Sequence, residues 1–144
     1  MPLPNTIGDL SLTPSSNSPT GSDSTATNDD YLRSLSALIR SFYSLSTASI
    51  AAAATTDIGA SNAENVTVTG TASITSLGTG YAGCLREVFC TGTPTFVHSS
   101  SIALPGAANI TAVANDFFIF RCTSAGQWAM VAGTRAATSF ANAT

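Results

Sequence analysis

The chain has 144 residues, of which only 9% are charged, with five Lys or Arg against eight Asp or Glu. A chain of this length normally forms one domain with appendages. It contains no lysine and no cluster of arginines. This composition disfavours nucleic-acid binding, which needs clustered cations to follow the phosphates. The weak charge also indicates that neighbouring molecules cover much of the surface.

Residues 1–27 are predicted to form an extended docking arm. Four prolines lie among Ser, Thr, Asn and Gly in this segment, so it does not gain enough apolar burial to fold alone. Its large apolar side chains are confined to the first dozen positions: Leu3, Ile7, Leu10 and Leu12. We expect these four to fill pockets on another protein while the backbone lies extended along it. A flexible tail is the alternative.

Residues 28–46 are predicted to contain a helix that joins copies of the chain. Thr27 and Asn28 are the N-cap candidates, and Asp29 and Asp30 would complement the helix dipole. Four apolar side chains then follow an a/d pattern over two heptads: Leu32, Leu35, Ile39 and Phe42. We expect these four at the axis of a homotrimer. The alternative is a helix that packs on its own β-domain.

Residues 64–135 are predicted to form the β-module, after an Ala/Ser/Thr-rich connector at 47–63 that carries a first strand near 55–58. Apolar residues alternate with Thr and Ser, and turn signals recur about every ten residues. Residues 116–132 are predicted to be a hairpin with its turn at 124–126. The fold class is therefore mainly β, a small antiparallel sandwich or jelly-roll-like domain, followed by a polar tail at 136–144. The predicted core residues are Val66, Val68, Ile74, Phe89, Phe118, Phe120 and Trp128.

The side chains that carry chemistry are scarce, so no catalytic residue, metal site or cofactor is predicted. His98 is the single histidine, and the three cysteines lack metal-ligand spacing. Cys90 and His98 flank one turn, but apolar neighbours favour buried thiols over a catalytic dyad. The arginines are expected to form structural ion pairs with acids such as Glu87 and Asp116.

The N-terminus lacks the pattern of a signal peptide, and no run reaches the roughly eighteen apolar residues of a membrane span. We therefore expect synthesis in a reducing cytoplasm without membrane insertion.

Several segments together carry a resemblance to a known family. In chain order they are residues 66–78, 83–89, 96–98, the turn Leu104-Pro-Gly-Ala-Ala-Asn-Ile-Thr111, residues 115–120 and Gly126-Gln-Trp128. They resemble a β-module of tail-fibre and related virion proteins of tailed bacteriophages, where similar segments occur in the same order. Residues 28–40, after their Pro-rich leader, are similar to the N-terminal attachment segments of phage fibres. The chain departs from the pattern at Ala107, where a second glycine is common.

This resemblance implies a non-enzymatic virion structural protein, assembled in the bacterial host cytoplasm. It would be a homotrimeric short tail fibre whose arm anchors to a tail or neck protein. One alternative is a capsid decoration protein or head fibre at three-fold positions of the capsid. Another is a receptor protein that binds host-surface glycans, with Tyr81 or Trp128 as stacking platforms.

Overall fold

The structure is a computed structural model that describes residues 16, 24–42, 49–61 and 63–136, the side chains at 41 and 42 excepted. Its helix α1 spans Thr25–Phe42 and begins earlier than predicted. The backbone N–H of Thr27 donates to Ser24 Oγ at 3.3 Å, so Ser24 is the N-cap rather than Thr27 or Asn28. Asp29 and Arg33 form an exposed ion pair one turn apart, at 2.7 Å.

Within the described residues, nine strands follow the helix. They are β1 (Ile50–Ala51), β2 (Asn65–Thr69), β3 (Ser73–Ile74), β4 (Leu85–Cys90), β5 (Thr95–Phe96), β6 (Ile102–Ala103), β7 (Ile110–Thr111), β8 (Phe117–Ser124) and β9 (Gln127–Thr134). A single turn of 3-10 helix, Pro105–Ala107, lies between β6 and β7. The strands form a large sheet in the order β1-β2-β4-β8-β9-β6 and a small sheet in the order β3-β5-β7.

Two turns of the chain stack on one another as a parallel coil. β2 pairs in parallel with β4, with Val66 opposite Val88, and β3 pairs in parallel with β5, with Ile74 opposite Phe96. Both offsets are 22 residues, so each turn places one strand in each sheet. A sequence repeat underlies this register, because residues 66–74 read VTVTGTASI and residues 88–96 read VFCTGTPTF. β1 extends the stack, pairing in parallel with β2.

The repeated glycine lies where the chain passes from the large sheet to the small sheet, and there the backbones of the two stacked turns are very close together. A Cβ built on Gly92 would lie 2.1 Å from the carbonyl oxygen and 2.5 Å from the nitrogen of Gly70 in the turn below. Gly70 itself has φ +85°, a conformation that L side chains rarely adopt. Gly92 therefore has no room for a side chain, whereas at Gly70 it is the backbone conformation that favours glycine.

The predicted hairpin closes the coil. β8 pairs antiparallel with β4 on one side and with β9 on the other. Ser124 lies opposite Gln127 across a two-residue turn, where Gly126 takes φ +72°. The hairpin is thus confirmed close to its predicted position, and it adds the long antiparallel strands to a sheet that begins as a parallel stack.

The core lies between the two sheets. Phe96 of the small sheet packs against Phe118 and Phe120 of the large sheet, with ring centroids 5.5 and 5.3 Å away. Such offset and edge-on contacts are favourable for aromatic rings. The buried core cluster is formed entirely by residues of the β-module and its connector, and it includes no residue of α1.

The prediction of a mainly β chain with one helix is confirmed, but the strand arrangement differs from the predicted antiparallel sandwich. Four strand pairs are parallel, β1–β2, β2–β4, β3–β5 and β6–β9, and three are antiparallel. The first strand also differs, since β1 lies at Ile50–Ala51 and Thr55 makes only an isolated bridge with Ser76. Alternation of side chains separates the two faces of a strand and carries no information on strand direction.

Candidate functional site

Six of the seven predicted core residues lie in the core, each exposing 2% of its surface or less. They are Val66, Val68, Ile74, Phe118, Phe120 and Trp128. Phe89 does not lie there, because 38% of its side chain is exposed. On β4 the buried side chains are Arg86, Val88 and Cys90, so the alternation turns Phe89 to the opposite side of the sheet.

Phe89 belongs to an apolar surface on the side of the large sheet that faces away from the core. We call this surface the outer face and define it by six outward-pointing residues of two neighbouring strands: Leu85, Glu87 and Phe89 of β4 and Phe117, Ile119 and Arg121 of β8. The register places Phe89 opposite Phe117 and Glu87 opposite Ile119. Four of the six side chains are apolar, whereas the water-facing side of a sheet is ordinarily polar.

The two remaining members of the outer face carry opposite charges. Arg121 lies opposite Leu85, and Glu87 lies opposite Ile119, so the two charges occupy diagonal positions of the β4–β8 pair. The ion pairs found within the described part of the chain are Asp29–Arg33 and Asp116–Arg135. Glu87 and Arg121 therefore bring one negative and one positive charge, without a salt bridge between them, into an otherwise apolar surface.

A second apolar surface lies on α1. Leu32 and Ile39, seven residues apart, expose 62% and 52% of their side chains. Tyr31 and Leu38, also seven apart, are buried, and Leu35 is half-buried between the two rows. The helix thus has one covered apolar row and one uncovered apolar row. The uncovered row contains two of the four residues predicted at the trimer axis.

The remaining predicted contact residues fall outside the described part of the chain. The four docking residues of the arm, Leu3, Ile7, Leu10 and Leu12, lie among residues that the structure does not describe, and so does the side chain of Phe42.

Arg86 is a buried cation that sequence reasoning assigned wrongly to an ion pair. It is 3% exposed and donates to four carbonyl oxygens rather than to a carboxylate. Nε donates to Ile58 at 3.1 Å and Nη1 to Leu85 at 2.8 Å, while Nη2 donates to Gly59 at 3.4 Å and Ser61 at 2.7 Å. The guanidinium fork therefore attaches the connector loop at 58–61 to β4, which is a structural role.

The buried carboxylate of Asp116 is likewise used structurally. It forms the expected ion pair with Arg135 at 2.8 Å and accepts hydrogen bonds from the backbone N–H groups of Val113 and Ala136. These contacts hold the end of β9 against the start of β8. Asp57 accepts from the backbone N–H groups of Ala60 and Thr79 in the same manner.

The thiol and imidazole groups have environments that oppose nucleophilic chemistry. All three cysteines are buried, as predicted, and burial raises the pKa of the Cys90 thiol to about 12. A reactive thiolate requires the opposite shift. The imidazole of His98 accepts a hydrogen bond at Nδ1 from the backbone N–H of Leu104, at 3.1 Å. Each group therefore contributes to packing or to a turn.

The aromatic residues considered as glycan platforms differ in position. Trp128 is 1% exposed, and its indole N–H donates to the carbonyl of Gly78 at 3.3 Å, so it is a core residue and presents no stacking surface. Tyr81 is 38% exposed in the loop before β4. An open pocket of about 310 Å³ lies beside β9, and Phe118, Met130 and Val131 are among its lining residues. Its lining is mostly apolar, unlike a sugar site.

No helix within the described ranges is long and apolar enough to cross a lipid bilayer. The same ranges contain no group of three or more His, Cys, Asp or Glu side chains placed to hold a metal ion. The chain matches no protein-family model, no curated protein and no solved structure. The candidate functional surfaces are therefore defined by the geometry alone.

Sequence reasoning missed the outer face, although one signal for it was present. The alternation of β4 places Leu85, Glu87 and Phe89 on one side and Arg86, Val88 and Cys90 on the other. Both sides carry large apolar residues, so the pattern alone does not decide which side is buried. Knowing the partner strand decides it, because β8 places Phe118 and Phe120 on the same side as Val88.

Proposed function

We propose that the chain is a non-enzymatic virion structural protein of a tailed bacteriophage, a homotrimeric short fibre anchored to a tail or neck protein by its N-terminal arm. The observation that best supports a trimer is the uncovered apolar row of α1. Leu32 and Ile39 are more than half exposed on a helix whose neighbouring row is buried. A row of apolar residues seven apart is the pattern by which helices pack on one another.

The β-module adds support to a structural role. The polar groups buried in it, Arg86, Asp116 and Thr56, are hydrogen-bonded within the chain. On the outer face Leu85 and Phe89 are each 38% exposed, so a solitary subunit would leave part of these two apolar residues in water. A subunit that exposes apolar surface on both its helix and its sheet is suited to assembly. The phage assignment itself rests on the family resemblance of the β-module segments and the leader.

The trimer is tested by the mass of the native protein in solution. Leu32→Asp together with Ile39→Asp is expected to convert a trimer to monomers, because charges would replace the apolar contacts at the axis. Both side chains are exposed, so the β-module should stay folded. Arg33→Ser together with Ala37→Asp changes the net charge equally on another exposed side of α1 and should leave the trimer intact. A wild-type chain that is already monomeric at micromolar concentration would refute the trimer.

The docking arm is tested by deleting residues 2–20. The shortened chain should remain folded and trimeric but should fail to join virions during assembly in infected cells. Incorporation at the wild-type level would contradict the arm as anchor. The number of copies per virion distinguishes the two locations. A few trimers indicate a tail or neck protein, whereas hundreds of copies indicate capsid decoration.

A further inference from the structure

We propose that the outer face is a second contact between copies of this chain, in which Glu87 of one copy pairs with Arg121 of the next. This inference rests on the proposed trimer and extends it from the helix to the β-module. It commits to a sister copy as the occupant of the face.

The charges of the face identify the occupant. Glu87 and Arg121 are the charged residues among the six that define it, and neither has an ion pair within the described part of the chain. A surface with one acid and one base at separate positions is neutral and complementary to a copy of itself. A strongly acidic or strongly basic partner would instead be matched by a face whose charges all have the opposite sign.

The surrounding side chains make the pairing specific. Phe89 and Phe117 lie opposite one another beside Glu87, and Ile119, the residue opposite Glu87, lies between Phe117 and Arg121 on the same side of β8. When a sister copy covers these rings, water leaves the charges as well, and an unpaired charge there becomes costly. The apolar side chains then supply the attraction, while the two charges fix which part of one face meets which part of the next.

Three-fold symmetry lets this contact repeat around a closed ring. In a ring of three copies each face uses its Glu87 side toward one neighbour and its Arg121 side toward the other. Three identical contacts then satisfy three acids and three bases, with none left over. The three large sheets enclose the axis as the sides of a prism, and the Phe89–Phe117 pairs point inward.

The test uses charge reversal in the full-length chain. Glu87→Arg alone would place two arginines at every contact, and Arg121→Glu alone would place two glutamates there. Each single variant is expected to weaken association by about 30-fold or more, as for other desolvated charge pairs. The readout is the concentration at which the trimer dissociates, from sedimentation equilibrium.

Mixing the two single variants separates a contact between chains from a contact within one chain. In a mixed trimer two of the three contacts join unlike variants and so bring opposite charges together, and association should recover most of the loss. A chain carrying both reversals should recover fully. If the double variant recovers but the mixture does not, the pairing lies within one chain and the proposal is refuted.

Two substitutions of aromatic residues by serine give a second measure of trimer association. Phe89→Ser should weaken the trimer, while Tyr81→Ser, at a side chain of equal 38% exposure outside the face, should not. Equal effects of the two would overturn the proposal. A trimeric wild type that is unaffected by all the face variants also overturns it and leaves the proposed trimer standing. A monomeric wild type refutes both.

Discussion

Substituting Gly92 by alanine should destabilise the β-module severely, although it adds a single methyl group. The new Cβ would lie 2.1 Å from the Gly70 carbonyl oxygen and 2.5 Å from the Gly70 nitrogen. Relief requires separations larger by about 1.0–1.4 Å, since non-bonded heavy atoms pack at roughly 3.5 Å. The atoms in the way are backbone, so no side chain can rotate to make room.

The magnitude follows from what holds the two turns together. Beside the corner, the N–H groups of Thr91 and Thr93 donate to the carbonyls of Val68 and Gly70, both at 2.9 Å. Moving the turns apart by about 1 Å breaks these hydrogen bonds and opens the core below, where Val68 and Cys90 are fully buried. We expect a loss of about 4 kcal/mol or more, above the usual range for a point substitution.

Urea unfolding followed by Trp128 fluorescence measures this loss. Gly106→Ala is the matched control, because Gly106 has φ +68° but its added Cβ would meet no atom within 4 Å apart from those of its own residue and its two chain neighbours. It should cost only about 1 kcal/mol of backbone strain. If Gly92→Ala were no more destabilising than Gly106→Ala, the stacked corner and its 22-residue register would be wrong.

Two further predictions concern buried groups. Arg86→Met should lower the free energy of unfolding by about 3 kcal/mol, because the carbonyls of Ile58 and Ser61 lose their donor, and Arg86→Lys should restore only part of it in the same urea assay. Cys90→Val places at position 90 the residue found at position 68, its equivalent in the 22-residue repeat. This substitution should remove a pH dependence of the free energy of unfolding. The unfolded Cys90 thiol ionises near its ordinary pKa of 9 while the folded thiol stays neutral to about 12, so wild-type stability should fall from pH 9 toward 12. The loss is at most about 1.4 kcal/mol per pH unit relative to the valine variant, and parallel pH profiles for the two proteins would contradict the buried thiol.

The local spacing of apolar residues was sufficient to predict the helix and several strands of this protein. The heptad spacing from Leu32 to Phe42 predicted α1, and the apolar run after Asp116 predicted the hairpin with its turn at 124–126. The alternation of Val66 and Val68 likewise predicted a half-buried strand. Each of these signals depends on side chains close together in the chain, where helix and strand periods act directly.

The candidate surfaces were only partly predictable. Leu32 and Ile39 were predicted as contact residues from spacing alone, and the structure adds that they are exposed while Tyr31 and Leu38 are buried. The outer face required the tertiary structure, since it arises where Phe89 meets Phe117, 28 residues away. Arg86 shows the same limit, because its carbonyl partners at 58–61 are fixed by the fold and not by charge pattern.

The sequence by itself determined that this chain is mainly β, that one amphipathic helix precedes the β-module, and that the hairpin ends it. Only the tertiary structure decided strand direction and which side of β4 faces water. The physical reason is that a strand's side-chain period is the same in parallel and antiparallel pairs. Direction is set instead by a distant match, the fit of Gly92 over Gly70 that holds two turns of the chain in one register.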